Sequence, residues 1–184
     1  MVRAKPVNLP NCELNMPLKT YQKPWFWYLA ALIIVALDQA SKHAIEAAFE
    51  YGETLVFTSF FNFTLAYNTG AAFSFLADAG GWQRWFFAVI ALAASVLLSV
   101  WIARTAQQKP REAFALAFIL GGALGNLYDR IVLGHVVDFI EFHYQASYFP
   151  AFNLADSAIS LGAAVLIIDM LFSKENSKEK KTNA

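Results

Sequence analysis

Residues 113–133, AFALAFILGGALGNLYDRIVL, decide the fold of this chain. Most of the stretch is apolar, whereas its end carries Asn126, Asp129 and Arg130. A bilayer core about 30 Å thick needs about 20 predominantly apolar residues in a helix, so the stretch is long enough to cross it. Charged side chains at membrane depth are costly, so they need a structural or functional reason. The stretch therefore predicts a membrane helix with a polar cluster at one end.

Three further segments have the same length and apolar character. The chain of 184 residues is 58% hydrophobic and 15% charged, whereas an ordinary soluble domain is about 45–50% apolar and about 25% charged. We therefore predict an all-α polytopic membrane protein with polar tails at residues 1–24 and 173–184 and a membrane domain at residues 25–172. Its four transmembrane helices are expected at about Trp25–Ile45, Trp82–Ala103, Ala113–Leu133 and Asn153–Phe172.

The basic residues indicate how the helices are oriented. They cluster in the two tails and in the connection between the second and third helices, whereas residues 44–83 contain none. Because cytoplasmic loops carry the excess of Lys and Arg, both termini are predicted to be cytoplasmic. The connections at residues 44–83 and 134–152 are then expected on the outer side.

Composition also excludes several classes of function. The formal net charge is zero, so nothing indicates binding to nucleic acid. The single cysteine, Cys12, excludes an internal disulfide and a cysteine-rich metal site. No apolar run precedes Cys12, so we interpret it as an ordinary residue of a polar tail.

Residues 54–68, TLVFTSFFNFTLAYN, predict β structure in the first outer connection. A period-two pattern rich in aromatic and β-branched residues indicates one or two strands. We expect a small extracytoplasmic sheet, at about residues 52–75, lying on the membrane surface. Its phenylalanines would suit a lipid-bearing substrate, but a simple cover over the helix ends fits the pattern as well. The apolar series is Leu55, Phe57, Phe61, Phe63, Leu65 and Tyr67, and it alternates with Thr54, Thr58, Asn62, Thr64 and Asn68.

Two aspartates flank the second outer connection, in VVDFIEF and FNLADSAIS. Asp138 and Asp156 each lie beside a long apolar segment. Two close carboxylates can share one proton and activate a water, which is the chemistry of an aspartic protease. Two other roles remain open: Asp138 as a solvated loop residue, and Asp156 as an N3 carboxylate of a helix capped by Asn153.

The remaining polar residues near the outer side have structural alternatives too. Asp38 and Lys42 are four residues apart with the acid first, which favours a helical ion pair. Asp129 and Arg130 could form ion pairs with neighbouring helix ends, or Arg130 could bind a peptide carbonyl or carboxylate. Gly121 and Gly125 form a GxxxG step that lets another helix approach closely.

Other hydrolytic chemistries fit the sequence poorly. There is no HExxH pattern for a zinc protease and no GxSxG pattern. His135, Asp138, Glu141 and His143 could supply metal ligands, but their spacing matches no helical ligand pattern. A proton-relaying transporter or channel would distribute its acids through the membrane depth, whereas here Asp38, Asp129, Asp138 and Asp156 gather toward the outer side.

Five motifs in this order resemble bacterial lipoprotein signal peptidase (signal peptidase II). They are DQASK, NTGAAFS, GGALGNLYDR, VVDFI and FNLADS, and the resemblance extends from about Trp25 to Phe172. It implies a membrane aspartic endopeptidase that cleaves diacylglyceryl-modified prolipoproteins just before the lipidated cysteine. It implies inhibition by globomycin-type cyclic peptides and a place in the bacterial inner membrane. Catalysis by two aspartates needs no metal or organic cofactor, so we expect none. We also expect a monomer.

The resemblance also implies roles for individual residues. Asp138 and Asp156 match the catalytic pair of the family. Asp38 and Lys42 match a motif whose role is less clear. The residues expected to line or support the site are Asn68, Asn126, Asp129, Arg130 and Asn153.

Overall fold

Four long helices form the body of the protein. The computed structural model describes the backbone of residues 18–70 and 80–182, and the side chains as far as residue 172. All four helices are long and apolar enough to cross a membrane, as predicted. The helices are α1 (Pro24–Ala48), α2 (Gln83–Thr105), α3 (Pro110–Val132) and α4 (Leu154–Thr182), and a 3-10 turn at Thr20–Gln22 precedes α1.

The helix ends differ from the predicted ends by a few residues, except at α4. Proline occupies the first turn of both α1 and α3, where its missing N–H costs no hydrogen bond. The apolar part of α4 ends at Phe172, as expected, but the helix continues to Thr182. Lys and Glu are good helix formers, so the polar sequence after Phe172 can extend the helix.

Helix α3 is the central helix of the bundle. It contacts α1, α2 and α4, and it buries far more of its apolar stretch than the other three helices. Glycines make this possible, because a Cβ on Gly121 would lie 2.8 Å from Ile34 Cβ, and one on Gly125 would lie 2.6 Å from Asp38 Oδ2. The close approach predicted from the GxxxG step is therefore confirmed, with α1 as the partner.

A four-stranded antiparallel sheet accompanies the helices. The predicted β structure at residues 54–68 is confirmed, but the predicted all-α class is too narrow, because residues 134–152 contribute two further strands. The order along the sheet is β1 (Thr54–Val56), β2 (Phe61–Asn68), β3 (Val136–Tyr144) and β4 (Ser147–Tyr148). Residues 136–139 are all buried, so β3 lacks the period-two pattern that revealed β2.

A register shift divides the pairing of β2 with β3 into two halves. Phe63 lies opposite Ile140 before the shift, and Ala66 lies opposite Asp138 after it. Strand β2 therefore has one more residue than β3 in this interval, which is a β-bulge. Beyond the bulge the alternation changes phase, so Asn68 lies on the same face as Phe63. The predicted alternation, which places Asn68 on the face of Asn62 and Thr64, is wrong at this position.

Phenylalanines in and beside the sheet form one connected cluster. The rings of Phe57, Phe61 and Phe63 touch one another edge to face, and Phe61 also touches Phe142. Phe142 in turn contacts Phe152, which lies just before α4. Phe57 and Phe142 are exposed, Phe57 by 64%, and the other three rings are half-buried. The sheet therefore carries an aromatic surface that extends to the start of α4.

Candidate active site

The two aspartates predicted to form a pair line one cavity of about 690 Å³. Strand β3 supplies Asp138 and the first turn of α4 supplies Asp156. The same cavity is lined by Asn68 from β2 and by Asn126 and Arg130 from α3. Residues that are far apart in the sequence thus converge where the sheet meets the C-terminal end of α3 and the N-terminal end of α4. Both of these ends are predicted to lie on the outer side.

Asp138 is a buried strand residue and not a solvated loop residue. It is 2% exposed, and its two oxygens accept hydrogen bonds from Asn153 Nδ2 at 2.7 Å and from Asn68 Nδ2 at 3.2 Å. Burial, followed by the negative charge of Asp156, raises the pKa of Asp138 to about 7. The two amide hydrogen bonds and the charge of Lys42 oppose this rise. Asp138 can therefore hold a proton near neutral pH.

Asp156 occupies the N3 position of α4, and the predicted cap is confirmed. Its backbone N–H donates to Asn153 Oδ1 at 2.9 Å, so Asn153 is the N-cap. Its carboxylate faces the cavity, where Oδ1 accepts a hydrogen bond from Asn126 Nδ2 at 2.7 Å. The N-terminus of a helix favours a negative charge. Asp156 is therefore both a first-turn residue of a helix capped by Asn153 and a residue that lines the cavity.

Two buried asparagines connect the carboxylates. Asn153 is fully buried, and its Nδ2 donates to Asp138 Oδ1 and, at 3.2 Å, to Asn126 Oδ1. Asn126 donates from Nδ2 to Asp156. The path from Asp138 through Asn153 and Asn126 to Asp156 is therefore a continuous chain of hydrogen bonds.

A buried ion cluster lies behind Asn126. The predicted pair of Lys42 with Asp38 is confirmed, with the ammonium 2.8 Å from Asp38 Oδ2. Lys42 also lies 2.6 Å from Asp129 Oδ2, so Asp129 forms an ion pair with a neighbouring helix. Asp38 Oδ1 accepts the backbone N–H of Ala155 at 2.9 Å. The cluster thus connects α1 and α3 with the first turn of α4.

Arg130 binds backbone carbonyls. Its Nη2 donates to Gly70 O at 3.0 Å and its Nη1 donates to Asn126 O at 3.3 Å. The guanidinium also lies over the ring of Phe87. Asn68 is the first and Gly70 the third residue of the NTGAAFS motif, and Asn68 Oδ1 accepts the Gly70 N–H at 3.0 Å. The rest of that motif, residues 71–74, lies outside the described residues.

Two residues near the site were not found from the sequence. Arg84, in the first turn of α2, donates from Nε to Arg130 O at 2.6 Å and from Nη2 to Ile131 O, so it caps the end of α3. Gln39 donates to Asp129 Oδ1 at 2.8 Å. Arg84 could have been singled out from the sequence, because it is a lone arginine at the outer end of a predicted span. No neighbouring residue in the sequence indicated a role for Gln39.

The weak metal-site candidate does not assemble. His135 packs against Tyr67 with ring centres 4.1 Å apart and the ring planes tilted by 41°, and His143 stacks on Tyr148. Glu141 accepts a hydrogen bond from an asparagine of β2. Among the residues that the structure describes, no group of three or more His, Cys, Asp or Glu side chains could hold a metal ion. Burial lowers the pKa of His135, which favours its neutral form.

Comparison with known proteins gives a consistent result. Residues 30–172 match the family model described as signal peptidase (SPase) II. The chain is 71% identical over 170 residues to a lipoprotein signal peptidase of Cellvibrio japonicus, covering 92% of this chain and all of that protein. It is 56% identical to a lipoprotein signal peptidase of Pseudomonas fluorescens, covering 81% of this chain and 89% of that protein.

Solved structures agree with the sequence relatives. A bacterial membrane enzyme determined by the in meso method at 2.3 Å resolution superposes with a TM-score of 0.74 at 32% identity. The match covers 82% of this chain and 90% of the other. With four helices that can cross a membrane and a match to the family model over most of its length, the chain belongs to the signal peptidase II family of peptidases.

Proposed function

We propose that the protein is an aspartic endopeptidase that removes signal peptides from diacylglyceryl-modified prolipoproteins, cleaving just before the lipidated cysteine. The observation that carries the proposal is the convergence of Asp138 and Asp156 on one cavity. Each of the two carboxylates accepts a hydrogen bond from a buried asparagine amide. The names of the relatives supply the substrate class, since they are called lipoprotein signal peptidases.

The mechanism follows from one proton shared between two carboxylates. Asp138, whose pKa is raised to about 7, holds the proton, and Asp156 is ionised at the helix N-terminus. Asp156 removes a proton from a water, and the hydroxide attacks the carbonyl carbon of the scissile peptide bond. Asp138 gives its proton to the carbonyl oxygen. When the tetrahedral intermediate collapses, the C–N bond breaks, the amine leaves with the proton held by Asp156, and Asp138 takes back a proton from a hydroxyl of the intermediate, so the singly protonated pair is restored.

The surrounding residues position the substrate in this proposal. Arg130 and Asn68 line the cavity and offer N–H donors for the substrate backbone. Asn126, Asn153 and Asp129 support the pair from behind. The aromatic surface of the sheet reaches the cavity through Phe152, so the diacylglyceryl chains can lie against it. Burying acyl chains contributes about 0.8 kcal/mol per CH₂.

The proposed topology places the site at the outer surface of the bacterial inner membrane. Both termini are cytoplasmic in this arrangement, because the basic clusters belong on that side. Residues 1–24 and 173–184 form the tails, residues 25–172 form the membrane domain, and the sheet is extracytoplasmic. The enzyme is proposed to work as a monomer without a cofactor and to be inhibited by globomycin-type cyclic peptides.

The test uses purified protein in detergent and a lipidated prolipoprotein. We expect Asp138→Asn and Asp156→Asn each to reduce cleavage by at least about 10³-fold, because each removes one proton-transfer group. Asp169→Asn is the matched control, since Asp169 is another membrane-helix aspartate but does not line the cavity. Wild-type cleavage by either Asp138→Asn or Asp156→Asn would refute the proposal. Activity is expected to persist with a chelator.

A further inference from the structure

Lys42 is a buried cation whose hydrogen-bonding capacity is fully used. Its side chain is 2% exposed, and its ammonium contacts Asp38 and Asp129 and donates to Asn126 Oδ1 at 3.1 Å. An ammonium has three N–H donors and no acceptor, so these three partners account for all its donors. None of the three charged residues lines the catalytic cavity, so Lys42 can influence the reaction only at a distance or through Asn126.

The ammonium fixes the direction of the Asn126 amide. Because Lys42 can only donate, Asn126 must turn its oxygen toward Lys42 and its NH₂ group away. That NH₂ group donates to Asp156 Oδ1 at 2.7 Å. The reversed amide would place an NH₂ group against the ammonium and an oxygen against the carboxylate of Asp156. Both contacts would be repulsive, so one orientation is strongly favoured.

The second asparagine of the site is oriented in a different way. Asn153 Oδ1 accepts the backbone N–H of Asp156, which also cannot reverse its role, and so its NH₂ group faces Asp138. Both carboxylates thus receive an amide donor whose direction is set by a group that can only donate. The orientation of Asn153 comes from the backbone of α4. That of Asn126 depends on the Lys42 ammonium at 3.1 Å and on the Asn153 amide, which donates to the same oxygen at 3.2 Å, and of these two donors only the ammonium has no acceptor atom of its own.

We propose that Lys42 is a positioning residue of the active site, which acts by orienting the Asn126 amide so that its N–H donor stays on Asp156. This donor stabilises the ionised, water-activating form of Asp156. Asp38 and Asp129 neutralise the charge of Lys42. Without these carboxylates, burying the ammonium at this depth would cost free energy. The inference rests on the proposed function, because it assigns the ionised role in the aspartate pair to Asp156.

The test replaces Lys42 without changing the net charge of the cluster. Lys42→Met with Asp129→Asn keeps the net charge of Lys42, Asp38 and Asp129 at minus one. We expect kcat for a lipidated prolipoprotein to fall about 10²-fold while KM changes less than about threefold, because a transition-state contribution is lost and substrate binding is not. Gln39→Met is the matched control, since Gln39 contacts the same Asp129 carboxylate but not Asn126. Its kcat should stay within about twofold of wild type.

A double-mutant comparison separates positioning from a purely structural role. Asn126→Leu should lower kcat by a similar factor, and adding the Lys42→Met and Asp129→Asn pair to it should lower kcat no further. An equal additional loss in the Asn126→Leu background would overturn the proposal, as would a wild-type kcat for the Lys42 variant. If that variant does not fold, Lys42→Met with Asp38→Asn has the same net charge and the same expected result.

The same assay distinguishes failure of this inference from failure of the proposed function. Asp138→Asn is measured beside the Lys42 variants, and unfolding temperatures are measured for all of them. An active Lys42 variant next to an inactive Asp138→Asn overturns only the positioning role. An active Asp138→Asn overturns the proposed function itself.

Discussion

Replacing Asn68 with alanine should move the alkaline limit of activity to higher pH. Asn68 donates from Nδ2 to Asp138 Oδ2 at 3.2 Å. Burial and the charge of Asp156 raise the pKa of Asp138 to about 7, and the hydrogen bonds from Asn68 and Asn153 limit that rise. A hydrogen bond to a carboxylate favours its ionised form, so its removal favours the protonated form. In Asn68→Ala the pKa of Asp138 is therefore higher still.

The size of the effect follows from the strength of the lost hydrogen bond. A hydrogen bond to a charged group contributes about 1.5–3 kcal/mol, and a length of 3.2 Å places this one at the lower end. Because about 1.4 kcal/mol corresponds to a tenfold change in proton affinity, the alkaline limit should rise by about one pH unit. In the proposed mechanism Asp138 must be protonated to act as the acid, so wild-type activity is expected to be lost as the pH rises through about 7.

The assay is kcat/KM for a lipidated prolipoprotein, measured in detergent from about pH 5 to about pH 10. When each kcat/KM profile is scaled to its own maximum, the scaled kcat/KM of Asn68→Ala should exceed that of wild type by up to about tenfold at the highest pH values. Asn62→Ala is the matched control, because Asn62 lies on the same strand but donates to Glu141 at 2.9 Å. An alkaline limit in Asn68→Ala that is unchanged or lower would refute the reasoning about Asp138.

Three further predictions concern stability in detergent. Asp138→Asn should be more stable than wild type by about 4 kcal/mol at pH 8 and equally stable near pH 4. The pKa of Asp138 is raised to about 7 in the folded protein, so the wild-type free energy of unfolding falls as the pH rises from about 4 to about 7. Thermal unfolding at both pH values tests this. Gly122→Ala should cost about 1–3 kcal/mol, because its Cβ would collide with the carbonyl oxygen of Ala155; an unchanged unfolding temperature would contradict it. Arg84→Lys should cost about 1 kcal/mol in the same measurement, because an ammonium cannot reproduce the fork that binds two carbonyls of α3.

The sequence predicted the features that depend on local spacing. The four helices follow from long apolar runs, the Asp38–Lys42 pair from a four-residue interval, and the cap of Asp156 from Asn153 three residues before it. The two partners of the ion pair and of the cap lie within one or two helical turns, and each helix is one continuous segment. A pattern in the sequence was therefore sufficient to predict these features without knowledge of how neighbouring elements pack.

The features that the sequence did not predict depend on contacts between distant segments. Asp129 joins Lys42 only because glycines let α1 approach α3 closely, and Gln39 joins the same carboxylate from α1. Strand β3 was missed because its first residues are buried on both faces, so they show no alternation. Asp138 was therefore assigned only to an outer connection, with a solvated loop residue as one alternative, although it lies in the interior of a sheet.

The bulge in β2 explains how the sheet contributes to the candidate active site and does not only cover the helix ends. Residues on one face of a strand alternate, so an uninterrupted β2 that carries Phe63 on the aromatic face would turn Asn68 to the opposite face. The additional residue in β2 restores Asn68 to the face of Asp138, where its hydrogen bond forms. The same face can then present phenylalanines at one end and the amide and carboxylate at the other. A lipid-bearing substrate needs both surfaces side by side, and one inserted residue provides that arrangement.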